Sequence, residues 1–286
     1  MEAPKPGIYP DIPAFDYHQW KAANYSTLKK FRQSAAHARE SMVNPMVQTD
    51  AMQIGQMVGE ALLEPDLFAK QYIIQPDFGD RRRTANKQAF NDFAAKNVDR
   101  VIVPPDDMRK VLGMVQCISE HGIVKEIVGG SLAGTRPVVE TSFVWEDGPT
   151  GVLCKGRTDV IGTLWGNPVV CDLKTTQDAS PKGWPRQIAK FDYHVQAAFY
   201  LDGLATLIPL DRSWLWFCVE NTRPYLAAVY QAEPALIDEG RRCYRSYLRR
   251  WKDAHETGFW AGYPADLTTV DLPQWAYTSD EDLEIE

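Results

Sequence analysis

Two runs of β-forming residues, 152–164 and 169–176, are separated by Trp165-Gly166-Asn167-Pro168. Apolar and β-branched residues fill both runs, and the four residues between them are turn formers. The pattern predicts a β-hairpin. With a two-residue loop at Gly166-Asn167, or a four-residue loop over 165–168, Asp159 faces Lys174 and position 161 faces Asp172. Directly opposed residues share a sheet face, and so do residues two apart on one strand. Asp159, Asp172 and Lys174 are therefore expected on one face. A three- or five-residue loop without a bulge would turn Asp159 to the other side.

The flanking pattern is helical before the hairpin and mixed after it. Helices are expected over 25–40, 49–63, 82–96 and 104–120, with Ser26 capping the first and Pro104-Pro105 opening the last. A strand over 140–145 precedes the hairpin. A helix over 191–207, strands over 213–220 and 225–231, and a long helix over 234–257 follow it. This order predicts an α/β fold in which helices flank a mixed central sheet. Residues 1–24 read as an N-terminal extension. Residues 25–278 read as a single domain, with a helical part to about 135 and a core from about 136. The acidic stretch 279–286 reads as a disordered tail.

The hairpin carries the chemistry. Two carboxylates suit Mg²⁺ or Mn²⁺, which keep several waters and bind substrate phosphate. The Leu173 carbonyl, between Asp172 and Lys174, is a further oxygen donor. A metal there would polarise a phosphoryl oxygen and acidify a bound water. Lys174 would orient that water and stabilise developing negative charge. Asp-x-Lys alone also describes an ordinary exposed strand, so the spacing to Asp159 matters more than the motif. In the helix after the hairpin, Gln196 and Tyr200 are four apart and share a face. They are candidates to hold a water or a phosphate, and equally the residues of a half-buried aromatic helix. Glu140 is another acidic neighbour, with a surface role as its alternative.

Five stretches carry a family resemblance: Glu140-Thr141-Ser142-Phe143, Thr150-Gly151-Val152-Leu153-Cys154, Arg157-Thr158-Asp159, Asp172-Leu173-Lys174-Thr175-Thr176, and Tyr193 through Tyr200. With Tyr17-His18, Tyr25-Ser26-Thr27-Leu28-Lys29-Lys30 and Leu272-Pro273-Gln274-Trp275-Ala276, they resemble the RecE-type exonucleases, exonuclease VIII among them. These belong to the PD-(D/E)XK, RecB-like nuclease superfamily. The resemblance implies a PD-(D/E)XK core and a Mg²⁺-dependent 5′→3′ exonuclease acting on linear double-stranded DNA. It implies release of 5′ mononucleotides and a 3′ strand left for a RecT-like single-strand annealing protein. It also implies a ring-shaped homo-oligomer of phage or prophage origin in a bacterial cytoplasm. On this resemblance Asp159 and Asp172 bind metal, Lys174 is the active-site lysine, and Gln196 and Tyr200 form the helix motif. One departure stands out. The family's Gly-x-x-x-His falls on Gly55 to Gly59, so glycine replaces histidine, and Glu60 is the nearest substitute ligand. The same site also serves endonucleases, single-strand nucleases and weakened DNA-binding relatives.

Composition adjusts this picture. A net charge of −7 weighs against DNA binding, since phosphate contacts need cations. Local clusters offset it: Arg81-Arg82-Arg83, the group Lys29, Lys30 and Arg32, and the series Arg241, Arg242, Arg245, Arg249 and Arg250. Each also reads as a solvated helix face or loop. No apolar run approaches about 20 residues, so no membrane helix is expected. Residues 1–13 lack a secretory apolar stretch. The five cysteines form no Cys-x-x-Cys and read as reduced thiols rather than a zinc or cluster site.

Overall fold

The computed structural model describes residues 1–80, 82–130 and 136–277. Arg81 of the arginine cluster and the acidic tail lie outside the described residues. The chain opens with β1 (Gly7–Tyr9), α1 (Ala14–Gln19), α2 (Tyr25–Leu28), a 3-10 turn (Lys29–Arg32) and α3 (Ala35–Val43). Next come α4 (Asp50–Leu63), α5 (Pro65–Gln71), β2 (Tyr72–Ile74), α6 (Thr84–Lys96), β3 (Val101–Val103), α7 (Pro105–Glu120) and α8 (Gly122–Val128). Then follow β4 (Val138–Glu146), β5 (Leu153–Leu164), β6 (Asn167–Thr176), α9 (Trp184–Phe191) and α10 (Tyr193–Leu207). The last elements are β7 (Ser213–Glu220), β8 (Ala227–Gln231), α11 (Pro234–Thr257) and a short 3-10 turn (Gln274–Ala276).

The central sheet runs β1-β4-β5-β6-β7-β8, antiparallel throughout except for the parallel pair β6–β7. Helix α9 and helix α10 make the crossover that a parallel pair requires. A separate parallel pair joins β2 to β3. The sheet buries an apolar core on each face. One holds Val170, Trp214 and Trp216 against α2, α3, α9, α10 and α11. The other holds Cys171, Leu215 and Phe217 against α4, α7 and α8. This is the predicted mixed sheet flanked by helices.

The segment before Tyr25 is woven into the sheet. Strand β1 pairs with β4, and the buried Lys155 ammonium donates to the Tyr17, His18 and Trp20 carbonyls at 2.8, 3.2 and 2.8 Å. The lysine thus closes the end of α1, whose last carbonyls have no partner within the helix.

Several boundaries differ from expectation for local reasons. The expected helix over 25–40 is broken into three pieces. Asn24, not Ser26, caps α2 by accepting from the Thr27 N–H. Ser34 sits in an extended conformation and caps α3 through the His37 N–H. Each cap satisfies an N–H that a continuous helix would bond to its own backbone. The helix expected from 191 starts at Tyr193, because Asp192 adopts φ 60° and separates α9 from α10. The strand expected from 225 starts at Ala227, since Tyr225 has φ 61°.

The hairpin register is also corrected. Its loop is Trp165-Gly166, with φ 51° and 83°, and Leu164 pairs with Asn167. Two successive left-handed residues give the hairpin turn whose twist matches the strands. The pairing Val160–Cys171 then sets Asp159 opposite Asp172 rather than Lys174. This is a slip of two residues from the expected register, and strand period two leaves the facing unchanged.

Trp165 is exposed and holds a left-handed conformation that costs a bulky side chain energy. Trp165→Asn supplies the residue preferred there, and we expect it to raise unfolding stability by about 0.5 kcal/mol in a denaturant titration. A loss of stability would contradict the turn assignment.

Candidate active site

Strand β5 is where the site forms. It pairs with β4 at Thr158–Thr141 and Val160–Val139, and with β6 from Val160–Cys171 onward. Asp159 lies between these rungs, in register with Glu140 on one neighbour and Asp172 on the other. Three acidic residues therefore line up across three adjacent strands. Glu140 carries φ 47°, an uncommon value for a residue with a side chain. The strand changes sides there: Val139 packs into one core and Phe143 into the other, although both are odd-numbered positions. That break keeps Glu140 and Asp159 out of the ladder.

Each acid has a partner that fixes its direction. The Leu173 N–H donates to Asp159 Oδ2 at 2.6 Å. On a strand the N–H and C=O of one residue point to the same side. The Leu173 carbonyl therefore also faces the edge where β5 has left the ladder. Asp172 is buried, with Lys174 Nζ 2.5 Å from Oδ2 and Gln196 Nε2 donating to Oδ1 at 2.9 Å. Asp172 Oδ2 has no aligned hydrogen bond despite its burial. Arg157 Nε donates to Glu140 Oε2 at 2.8 Å, and its Nη1 reaches the Ile12 carbonyl and Ser142 Oγ. Arg157 thus ties Glu140 to the N-terminal segment.

The electrostatics follow from burial. The Asp159 carboxyl is held well above the usual range, by desolvation first and then by the Asp172 and Glu140 charges; Lys174 and the Leu173 N–H oppose this. For Lys174 burial acts downward, yet the Asp172 and Asp159 carboxylates outweigh it and keep the ammonium raised. Lys174 stays a cation.

The structure brings Asp159, Asp172, Leu173, Lys174 and Gln196 together. Tyr200 lies one helical turn deeper. Its ring packs edge-on against Phe143 and Trp214. Its place is in the wall behind the acids, without a hydrogen bond to Asp172. Glu60 is also turned elsewhere. Gln56 Nε2 donates to its Oε1 at 2.7 Å, and the carboxylate sits beside the Tyr72 hydroxyl. A side chain at Gly59 would meet Leu173 across α4 and β6. The acid on this stretch that senses the row is Glu64. Its carboxyl is raised by burial and then by Glu140. In the sequence Glu64 stands in the Glu64-Pro65 that matches the Glu-Pro of the RecE-type stretch, with no role attached to it.

Among the described residues no cluster of three or more His, Cys, Asp or Glu side chains is spaced to hold a metal ion. Two carboxylates and an outward carbonyl nevertheless fit a hard cation that keeps much of its water. Asp159 and Asp172 would be its side-chain ligands. Such a cation competes with the proton that the raised Asp159 carboxyl retains.

Without metal, the folded state binds this proton more tightly than the unfolded chain does. Stability therefore falls as pH rises from the unfolded carboxyl value of about 4 through the folded one. Mg²⁺ at tenfold its Kd should add about 1.4 kcal/mol at pH 8 and less at pH 5.5. Asp159→Asn should abolish the increment. Thermal unfolding with MgCl₂ or EDTA reads both effects, and an increment insensitive to pH or to Asp159→Asn would refute the assignment.

No curated protein matches the chain. Among solved structures, a "Putative exonuclease" from Eubacterium rectale aligns with a TM-score of 0.55 and 11% identity, covering 86% of this chain and 88% of that one. The structure described as SSO0001 aligns with a TM-score of 0.30 and 18% identity over 71% of this chain and 86% of that one. The first likeness is one of fold. The PDDEXK-like domain of unknown function (DUF3799) matches residues 24–269, a span containing β4 to α10 and every acid of the row. The chain therefore belongs to this family of PDDEXK-like domains, and its mixed sheet is a PD-(D/E)XK nuclease core.

Proposed function

We propose that this protein is a metal-dependent exonuclease acting on linear double-stranded DNA. The observation that carries the reading is Lys174 held against Asp172, with Asp159 one strand away on the same face. Asp159, Asp172 and the Leu173 carbonyl would hold Mg²⁺ or Mn²⁺, supplying Lewis-acid polarisation of the phosphoryl oxygen and a more acidic water. The protein's own groups do the rest. Lys174 is a fixed cation beside the acids, placed to orient the attacking water and to stabilise charge developing on the phosphate. Gln196 holds the Asp172 carboxylate in one rotamer, so that Oδ2 stays directed at Lys174. Arg157 restrains Glu140 and keeps a third carboxylate from collapsing onto Asp159.

The finer activity comes from the resemblance to RecE-type exonucleases. On that reading the enzyme digests 5′→3′, releases 5′ mononucleotides and leaves a 3′ strand for a RecT-like annealing protein. A ring-shaped homo-oligomer would keep threaded DNA from leaving. The long-helix arginines lend this little support. Arg241 pairs with Asp202 and Asp238, Arg242 pairs with Glu239, and Arg250 caps the Phe31 carbonyl. Among the described residues no helix is long and apolar enough to cross a membrane.

The test is digestion of linear duplex, labelled separately at its 5′ and 3′ ends, with Mg²⁺ or EDTA, beside closed circular DNA. Early Mg²⁺-dependent release of 5′ label as mononucleotide, with circles intact, is the expected outcome. Lys174→Met should slow it on the order of 10²–10³-fold, the scale of removing one transition-state contact. Cut circles would make the protein an endonuclease. No cleavage with Mg²⁺ or Mn²⁺ would leave a DNA-binding protein weakened at Gly59.

A further inference from the structure

We propose that Lys29, with Lys30 beside it, is a phosphate subsite that grips the nucleic-acid strand next to the scissile bond. The inference rests on the nuclease reading and adds a binding residue to it. Lys29 opens the 3-10 turn that follows α2. Its Nζ lies 5.0 Å from the centre of the Tyr25 ring, and the Tyr25 hydroxyl donates to the Phe191 carbonyl at 2.6 Å. The Phe191 ring stacks on Tyr193 with centroids 5.5 Å apart, and Lys174 Nζ lies 5.0 Å over the Tyr193 ring. Each ammonium thus lies over a tyrosine ring, and Phe191 links the two tyrosines: its carbonyl takes the Tyr25 hydroxyl and its ring stacks on Tyr193. One ammonium belongs to the active site and the other to a turn 145 positions earlier in the sequence.

The charges near Lys29 are unbalanced. Arg32 is matched by Asp192 at 2.9 Å, and Lys174 by Asp172. Among the described residues neither Lys29 nor Lys30 forms an ion pair, although both are half-buried. Burial and then the Lys30 and Lys174 charges hold the Lys29 ammonium below its ordinary value, and Asp192 offsets this only in part. A fold gains nothing by crowding three ammonium groups, since like charges at this depth repel. An anion bound among them would relieve both the repulsion and the lost hydration. The chain as a whole carries −7, so this local excess of positive charge is not a general basic surface. The anion that the neighbouring chemistry brings is a nucleic-acid phosphate, either an internal diester or a 5′-terminal monoester.

The experiment is fluorescence-anisotropy binding of short duplexes, with 5′-phosphate or 5′-hydroxyl ends, to the full chain in EDTA across a salt series. Lys29→Met keeps the apolar stem on Tyr25 and removes only the charge. Lys29→Arg keeps the charge. We expect Lys29→Met to weaken binding about tenfold and to reduce the slope of log K against log salt by about one, with Lys29→Arg near wild type. Loss restricted to the 5′-phosphate duplex assigns the subsite to the terminal monoester, and equal loss on both assigns it to an internal diester. Unchanged affinity and slope in Lys29→Met, in a chain that binds and cuts DNA, would overturn the subsite alone. A wild-type chain that neither binds nor cuts DNA would overturn both readings. Circular dichroism of the two variants confirms that each is folded before binding is compared.

Discussion

Carboxylates set side by side away from water are the constraint that the rest of this structure answers. Asp159 and Asp172 face each other across β5 and β6, and Glu140 continues the row on β4. In a low-dielectric setting such a row retains protons or gathers cations. The fold supplies several compensations. Lys174 comes from two residues along β6, Gln196 from α10, the Leu173 N–H from the strand itself, and Arg157 from β5. Each comes from a different direction, so the acids are locked in rotamers that a flexible surface would not maintain. Among the described residues Asp172 Oδ2 is held by the Lys174 ammonium alone, so carboxylate and cation face the site as a pair.

The architecture around the row follows from the need to bury two sheet faces. Helices α10 and α11 cover one and α4 and α7 the other. Helix α10 is apolar almost all round, which suits a helix enclosed by the sheet and by α11. Within that apolar surface, Gln196 is the polar position that meets Asp172. Gly240 of α11 lies against the His194 carbonyl, a close approach of two helix backbones that a side chain would prevent. The site is thus built on rigid strands and backed by a tightly packed helix pair, as a preorganised constellation requires. Membership in the PDDEXK-like family accords with this arrangement, since the family span contains strands β4 to β8 and the helices that cover both sheet faces.

The N-terminal segment shows how long-range contacts enlarge the site. Strand β1 extends the sheet, Lys155 ties α1 down, and Ile12 accepts from the same Arg157 that holds Glu140. The turn after α2 sets Lys29 over Tyr25, whose hydroxyl bonds the Phe191 carbonyl next to the Tyr193 ring that carries Lys174. A stretch that reads in isolation as an extension followed by one helix therefore reaches the active site at two points.

The meeting of Asp159, Asp172 and Lys174 was legible in the sequence because strand periodicity is local and exact in parity. The turn formed one residue earlier on each strand than expected, yet a slip of two changes which residues are opposed and not which face they occupy. The long strands and helices were legible for the same reason: their apolar spacing repeats over many residues. What only the tertiary structure decided lies where local rules compete or end. Asn24 and Ser34 divide a helix that spacing alone would continue, because a capping side chain wins a backbone N–H. Glu140 reverses the facing of β4 through a single left-handed residue. Tyr200 shares a helical face with Gln196 but is buried against Phe143 and Trp214, while Glu60 turns to Gln56 and Tyr72 and the Glu64 carboxyl responds to Glu140. Periodicity specifies which side chains share a face; the depth of each, and what meets it from a distant segment, depends on how closed elements pack, and that is a property of the whole chain.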